Sequence, residues 1–205
     1  MPVNTNVANG DNISAGAPKV AGAIFRAPLT ASLPTSALTE LSADFETLGY
    51  ISEDGFTYTP SRSTTPVKDW SGQTIADLQD EKSDTFKFKM LEILKPVVNK
   101  MIFGDTNVTG GIDTEMVIKS NAKELEEHAY VVDFLLKGGA VRRIVIPKGK
   151  VTDISDVPYK KNELTGYEVT VTAYPCGDEE GNTHFQYVAK PVGATGATGA
   201  TGSNA

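Results

Sequence analysis

The alternation of residue type at Thr85-Phe86-Lys87-Phe88-Lys89-Met90, repeated at Tyr167-Glu168-Val169-Thr170-Val171-Thr172-Ala173-Tyr174, constrains this chain more than any other feature. A period of two sends successive side chains to opposite faces of an extended strand, and β-branched and aromatic residues suit a pleated, half-buried surface. Each run therefore predicts a strand with one buried face. Residues 128–136 and 140–147 are two further apolar, β-branched runs, separated by Lys137-Gly138-Gly139, whose glycines can supply the positive φ of a tight hairpin. Residues 115–119 and 184–189 predict shorter strands, with 178–182 as the turn between the last two. The second half of the chain reads as a series of antiparallel strands.

Three segments depart from this pattern. Ile93, Leu94, Val97, Val98, Met101 and Ile102 recur at helical spacing, Pro96 suits a first turn, and Gly104 suits an end. This predicts one amphipathic helix over about 93–103, packed on a sheet. Ala37, Leu38, Leu41, Phe45 and Leu48 form a weaker helical stripe within 35–48, enough for a turn or two. Residues 53–72, polar and punctuated by Gly55, Pro60, Pro66 and Gly72, read as one long polar loop. A connection of that length is functional or ordered by a partner.

Composition divides the chain into three. Residues 1–20 are poor in large apolar groups, and 193–202 repeat Gly-Ala-Thr triplets. Neither buries enough surface to offset about 1–2 kcal/mol of backbone entropy per ordered residue. The expected organisation is a flexible N-terminal arm over 1–20, a folded domain over 21–191 and a flexible tail over 192–205. The expected fold class is mainly β, an antiparallel sandwich or barrel with one helix and one long loop.

The chemistry of the chain excludes several classes. Its 19 Lys and Arg against 26 Asp and Glu give a net charge of −7, the wrong sign for a surface built to grip phosphates. One cysteine, Cys176, allows no intramolecular disulfide and no multi-cysteine zinc site. The start of the chain lacks a secretory pattern, and no run of roughly 18 apolar residues occurs, so a cytoplasmic site of synthesis and no membrane partner are expected. His128 and His184 lack ligand spacing and read as polar strand residues. Gly149-Lys150 lacks the glycine pattern of a phosphate loop, and Glu126-Glu127 and Asp178-Glu179-Glu180 read as solvated turns and strand edges. No catalytic, cofactor-binding or metal-binding residues are assigned, and no enzyme activity is expected.

Charge is segregated along the chain. Glu40, Asp44, Glu46, Glu53 and Asp54 fall within 40–54 without a base, while Lys137, Arg142, Arg143, Lys148 and Lys150 fall within 137–150 without an acid. These are either two solvated faces or two complementary surfaces for heterologous self-association, which builds rings or filaments.

Leu33-Pro34-Thr35, the run 44–48, Gly49-Tyr50-Ile51-Ser52-Glu53-Asp54-Gly55 and Trp70-Ser71-Gly72 together resemble the N-terminal half of the major tail tube proteins of long-tailed bacteriophages. Thr85-Phe86-Lys87-Phe88 and the stretch from Leu164-Thr165-Gly166 to Ala173-Tyr174-Pro175 are similar to that family's later strands. The resemblance covers about residues 21–190. It implies a β-sandwich with a flanking helix, and hexameric rings stacked into a hollow tube that passes DNA. It also implies further phage tail proteins as partners, such as the tape measure and the tail terminator, and a place in the virion after synthesis in a bacterial host. The candidates for subunit contact are Glu53, Asp54, Phe56, Tyr58, Trp70, Arg142 and Arg143. Two other classes share the strand pattern. An adhesin or carbohydrate-binding sandwich would use exposed aromatics, for which Phe56, Tyr58 and Trp70 are the available group; a β-barrel enzyme would need a paired nucleophile and base.

Overall fold

A computed structural model describes residues 13–18 and 22–191. Its strands, in chain order, are β1 (Ala17–Pro18), β2 (Ile24–Ala27), β3 (Glu46–Thr47), β4 (Ile51–Lys68), β5 (Thr74–Met90), β6 (Val108–Thr109), β7 (Val117–Ile118), β8 (His128–Leu135), β9 (Val141–Ile154), β10 (Tyr167–Ala173) and β11 (Phe185–Ala189). One helix, α1 (Pro96–Phe103), lies between β5 and β6. The fold is mainly antiparallel β. Nine strands form a single sheet with the path β3-β2-β8-β9-β10-β5-β4, while β1 joins β8 and β11 joins β9.

The β8–β9 hairpin turns at Lys137–Gly139, where Gly138 and Gly139 hold φ of 72° and 76°. Only residues without a Cβ adopt consecutive left-handed conformations at no steric cost. β9 runs for 14 residues, and its two ends have different neighbours: Val141–Val145 pair with β11, and Gly149–Ile154 pair with β10. Because β8 lines the other edge from Val141 to Gly149, β10 and β11 must share one edge of β9 end to end. The sheet splits there and curls. Phe56 of β4 comes back to within 5.6 Å of Phe134 of β8, ring centre to ring centre, although the two strands are far apart in the sheet order. This makes two layers around one core.

The period of two acts as its pattern implies. Phe86, Phe88 and Met90 of β5 and Val169 and Val171 of β10 point inward and are buried, while Lys87 reaches Glu168 across the outer face at 2.7 Å. Tyr130, Val132, Ile144 and Ile146 complete that core from β8 and β9. The helix covers it with Val97, Val98, Met101 and Ile102. α1 begins at Pro96, three residues later than its apolar spacing suggests, because a residue before proline is pushed out of the helical region and Lys95 is extended at φ −84°, ψ 127°. Gly104 at φ 95° ends it.

Two expectations are corrected. The stripe at 35–48 forms no helix, because Arg143 donates to the carbonyls of Ser36 (3.1 Å) and Thr39 (2.5 Å), claiming acceptors that an α-turn would use. Residues 53–72 are no loop. They form most of β4, paired with β5 from Phe56 to Lys68. The ladder is antiparallel, and a turn at 69–73 closes it. That turn is built by the Asp69 carboxylate, which accepts from Ser71 Oγ (2.7 Å) and the Gln73 amide (2.8 Å). Pro60 and Pro66 are compatible with the strand because β4 is the edge of the sheet. Of the stretch read as an N-terminal arm, Ala17–Pro18 pair with β8, and Ser14 Oγ accepts from the Lys137 amide at 2.7 Å. Residues 1–12 and the Gly-Ala-Thr tail lie outside the described residues.

Candidate assembly interface

β10 pairs with β5 from Tyr167↔Met90 as far as Ala173↔Asp84, and there it ends. The β4–β5 ladder continues past that point from Ser61↔Ser83 to Lys68↔Thr74, as a two-stranded arm. Eight β4 residues, Ser61 to Lys68, at about 3.3 Å each make the arm about 25–30 Å long. Every residue of the arm is exposed except Val67 and Ser83, which are half-buried.

Cross-strand register separates the two faces of this arm. Thr65↔Leu78 and Val67↔Ala76 share one face, and Thr64↔Gln79 and Pro66↔Asp77 the other. The first carries Val67, Ala76 and the well exposed Leu78, together with Thr65, which donates to Asp80 at 2.5 Å; the second carries Pro66, Asp77 and Gln79, which accepts from Arg62 at 2.7 Å. Trp70 stands at the tip with a relative exposure of 104%. An indole in that position loses the hydrophobic contribution that burial would give, about 2–3 kcal/mol. An edge strand with unpaired backbone groups, exposed apolar side chains and a bare indole are features that suit contact with a partner.

The other contact candidates fall elsewhere. Glu53 and Asp54 are exposed in the irregular stretch of β4 between Ile51 and Phe56, where Gly55 holds φ 73°. They line a cleft of about 530 Å³ whose apolar wall includes Ile24, Ile51, Phe56 and Phe134. Arg142 is exposed. Phe56 and Tyr58 are half-buried and Arg143 is buried, and each makes contacts inside the subunit. Phe56 stacks on Phe86 and Phe88 at 5.6 and 6.0 Å, and Tyr58 stacks on Phe86 at 5.0 Å. Trp70 is thus separated from the two other aromatics, and no exposed three-ring platform of the kind a carbohydrate-binding surface needs is assembled from them. Arg143 is 3% exposed and donates to both carboxylate oxygens of Asp133, at 2.7 and 2.8 Å.

The basic run is largely neutralised by the same folding. Lys148 pairs with Glu127 at 3.2 Å, and Lys150 with Glu124. A count over 137–150 misses these acids because the β8–β9 hairpin brings 124–133 alongside it.

Two buried polar groupings invite a chemical reading. Asp105, Glu126 and His128 offer ligand atoms within 4.8 Å of one another. Arg26, however, donates to Asp105 at 2.5 Å and lies 2.7 Å from His128 Nε2, so its guanidinium already supplies the positive charge that a metal would bring. His128 is the polar strand residue expected, the first of β8, and it is buried within this hydrogen-bonded group. The second grouping joins Asp84, Thr183 and His184. Thr183 donates directly to Asp84 at 2.5 Å, with His184 Nδ1 3.7 Å from the same carboxylate. Asp84 and Thr183 are both buried. Thr183 Oγ1 also lies 3.2 Å from His184 Nδ1, but its proton goes to the carboxylate and the hydroxyl is closed off from solvent, which does not suit an activated nucleophile. Burial raises the Asp84 pKa, but hydrogen bonds from Thr183, Lys82 and Tyr58 outweigh that and lower it to about 2. The Tyr58 hydroxyl is pushed up to about 12 by burial and by Asp84. Asp84 could not be singled out from sequence, where it is one polar residue beside a strand.

The sequence matches the model of a family described as phage tail tube protein over residues 9–198. The chain belongs to that family. A tail tube protein is a structural component of a phage tail, and this is the setting in which an arm of this kind is to be understood. Among solved structures, this tail tube protein is similar to a chain of an extracellular contractile injection system sheath–tube complex in its extended state. The identity is 9% and the TM-score 0.42, covering 84% of this chain and 93% of that one. It is also similar to the cap that terminates the tube of the anti-feeding prophage, at 8% identity and a TM-score of 0.45, covering 92% and 100%. No curated protein sequence matches. Among the described residues of the tail tube protein, no helix is long and apolar enough to cross a membrane.

Proposed function

We propose that this tail tube protein assembles with itself into hexameric rings, and that the rings stack into a hollow conduit through which DNA passes. The observation that carries the reading is the two-stranded arm beyond Asp84, exposed along its length and tipped by Trp70, on a chain of the tail tube family. Such an arm contributes little to its own subunit, and its exposed apolar side chains and edge strand suit a contact with another copy. Contact between unlike surfaces of successive copies is heterologous and closes into rings or extends into filaments. The net charge of −7 suits a conduit, since a lumen rich in basic groups would hold DNA in a salt-dependent grip. Other tail proteins, such as a tape measure and a tail terminator, would meet the lumen and the ends of the tube. The candidate contact residues are Glu53, Asp54, Phe56, Tyr58, Trp70, Arg142 and Arg143, of which Glu53, Asp54, Trp70 and Arg142 are exposed in the subunit, and no enzyme activity is expected. Electron microscopy of the concentrated protein tests the reading. Rings of six or tubes are expected, with Trp70→Ala abolishing them; a protein that stays monomeric at every concentration and salt condition refutes it.

A further inference from the structure

We infer that Asp84 is a positioning residue that clamps the root of the arm, so that the direction of the arm relative to the body is set by one buried carboxylate. The inference rests on where Asp84 stands and on what reaches it. It is the last β5 residue paired with β10, opposite Ala173, and it is paired with Pro60 of β4 on its other side. The three-stranded body therefore becomes a two-stranded arm at this residue.

Three donors converge on the carboxylate from three different segments. Tyr58 of β4 donates to Oδ1 at 2.8 Å, Lys82 of the arm itself pairs with Oδ2 at 2.9 Å, and Thr183, in the connection between β10 and β11, donates to Oδ2 at 2.5 Å. Both strands of the hairpin and the body are thus tied to one group. His184, beside Thr183, packs edge-on against Tyr58 and Phe86 at 5.1 and 5.4 Å and closes the site from the body side. Asp84 is fully buried, and burying a carboxylate is costly unless its acceptors are satisfied. An apolar residue would fill the space more cheaply, but it could not bind three donors in defined directions. The two-stranded ladder beyond this point has no third strand to resist bending. The clamp supplies that resistance at its base.

The test compares the arm with the body in the unassembled subunit, so it does not depend on tube formation. With Cys176→Ser as background, spin labels at Ser71→Cys and Thr152→Cys report the distance from tip to body, and labels at Arg142→Cys and Thr152→Cys report the body alone. Tyr58→Phe keeps the ring on Phe86 and removes its hydroxyl; Thr183→Val removes the second donor. In the double variant the tip-to-body distribution should at least double in width while the body pair stays unchanged. Equal widths in variant and parent, or both pairs broadening together, would overturn the clamp. If the double variant does not fold, Tyr58→Phe alone decides, by the same two outcomes. A parent that never forms rings would refute the proposed function and leave the clamp standing.

Discussion

The two halves of the β4–β5 hairpin are one continuous antiparallel ladder, yet they belong to different parts of the molecule. In the half below Asp84, the β5 residues Phe86, Phe88 and Met90 are 0–3% exposed and the β4 residues Phe56 and Tyr58 stack over them. In the half above it, Ile75, Leu78 and Trp70 are 59–104% exposed. Backbone pairing is antiparallel in both, with register shifts at Ser63/Thr64 and Val67/Lys68 in the upper half, so pairing alone does not decide what a strand is for. The lower half is held by burial and holds the fold; the upper half is held by its own ladder and is available to a partner.

The sharpest way to break this comparison is to remove a ring from each half. Phe86→Ala should destabilise the subunit by about 3–5 kcal/mol, the cost of lost transfer energy plus a cavity, measured by urea unfolding. A loss below about 1 kcal/mol would show that the lower half is not the core it looks like.

Acid sharpens the boundary itself. Asp84 is held near a pKa of about 2, below its ordinary 3.8, so its contribution is complete above the ordinary value and is lost as pH falls toward 2. That loss is about 2 kcal/mol, and it should disappear from the stability profile of Asp84→Asn between about pH 4 and pH 2. Tyr58, Lys82, Thr183 and His184 face the carboxylate. Burial lowers the His184 pKa, so charging His184 also destabilises as pH falls, but from a higher starting pH. An Asp84→Asn profile as steep as the parent's below pH 4 would place the acid sensitivity elsewhere.

Removing the upper half should cost the subunit less. Replacing residues 63–81 with Asn-Gly, which keeps Arg62 opposite Lys82 across a two-residue hairpin turn, should leave a folded subunit with a stability change of about 1 kcal/mol or less, by calorimetry. It should also abolish tubes in the electron microscope. A subunit that unfolds would show that the arm supports the body.

The smallest effect on the subunit is expected at the tip. Trp70→Ala should change monomer stability by no more than about 0.5 kcal/mol. In the parent protein, the emission of this single tryptophan should shift to the blue on assembly. An unshifted emission in assembled tubes would remove Trp70 from the contact.

Strands were legible wherever one face meets the core, because burial prints a period of two on the sequence. Phe86, Phe88 and Met90, and Val169 and Val171, were readable for that reason, and so was the Gly138-Gly139 turn. The upper arm carries no such print. Both of its faces are wet, so Ser61 to Lys68 show no alternation and read as a loop, although β5 pairs with every one of them. Trp70 stands out in the sequence because a large apolar group in a polar stretch has no local use, and the structure leaves it exposed. The sequence does not distinguish Phe56 and Tyr58 from Trp70, because their stacking partners, Phe86 and Phe88, lie some thirty residues away along the chain.

Near neighbours along the chain suffice for the alternating strands, the helix behind Pro96 with its buried stripe and the glycine turn. The tertiary structure decided what depends on distant pairing. It turned Arg143 inward onto Asp133 and the carbonyls of the 36–39 turn, and matched Lys148 and Lys150 to Glu127 and Glu124. It also brought Tyr58, Lys82 and Thr183 to Asp84. The physical reason is that burial leaves a periodic mark along the chain, whereas a hydrogen bond or ion pair between remote residues leaves none until the sheet has brought its two partners together.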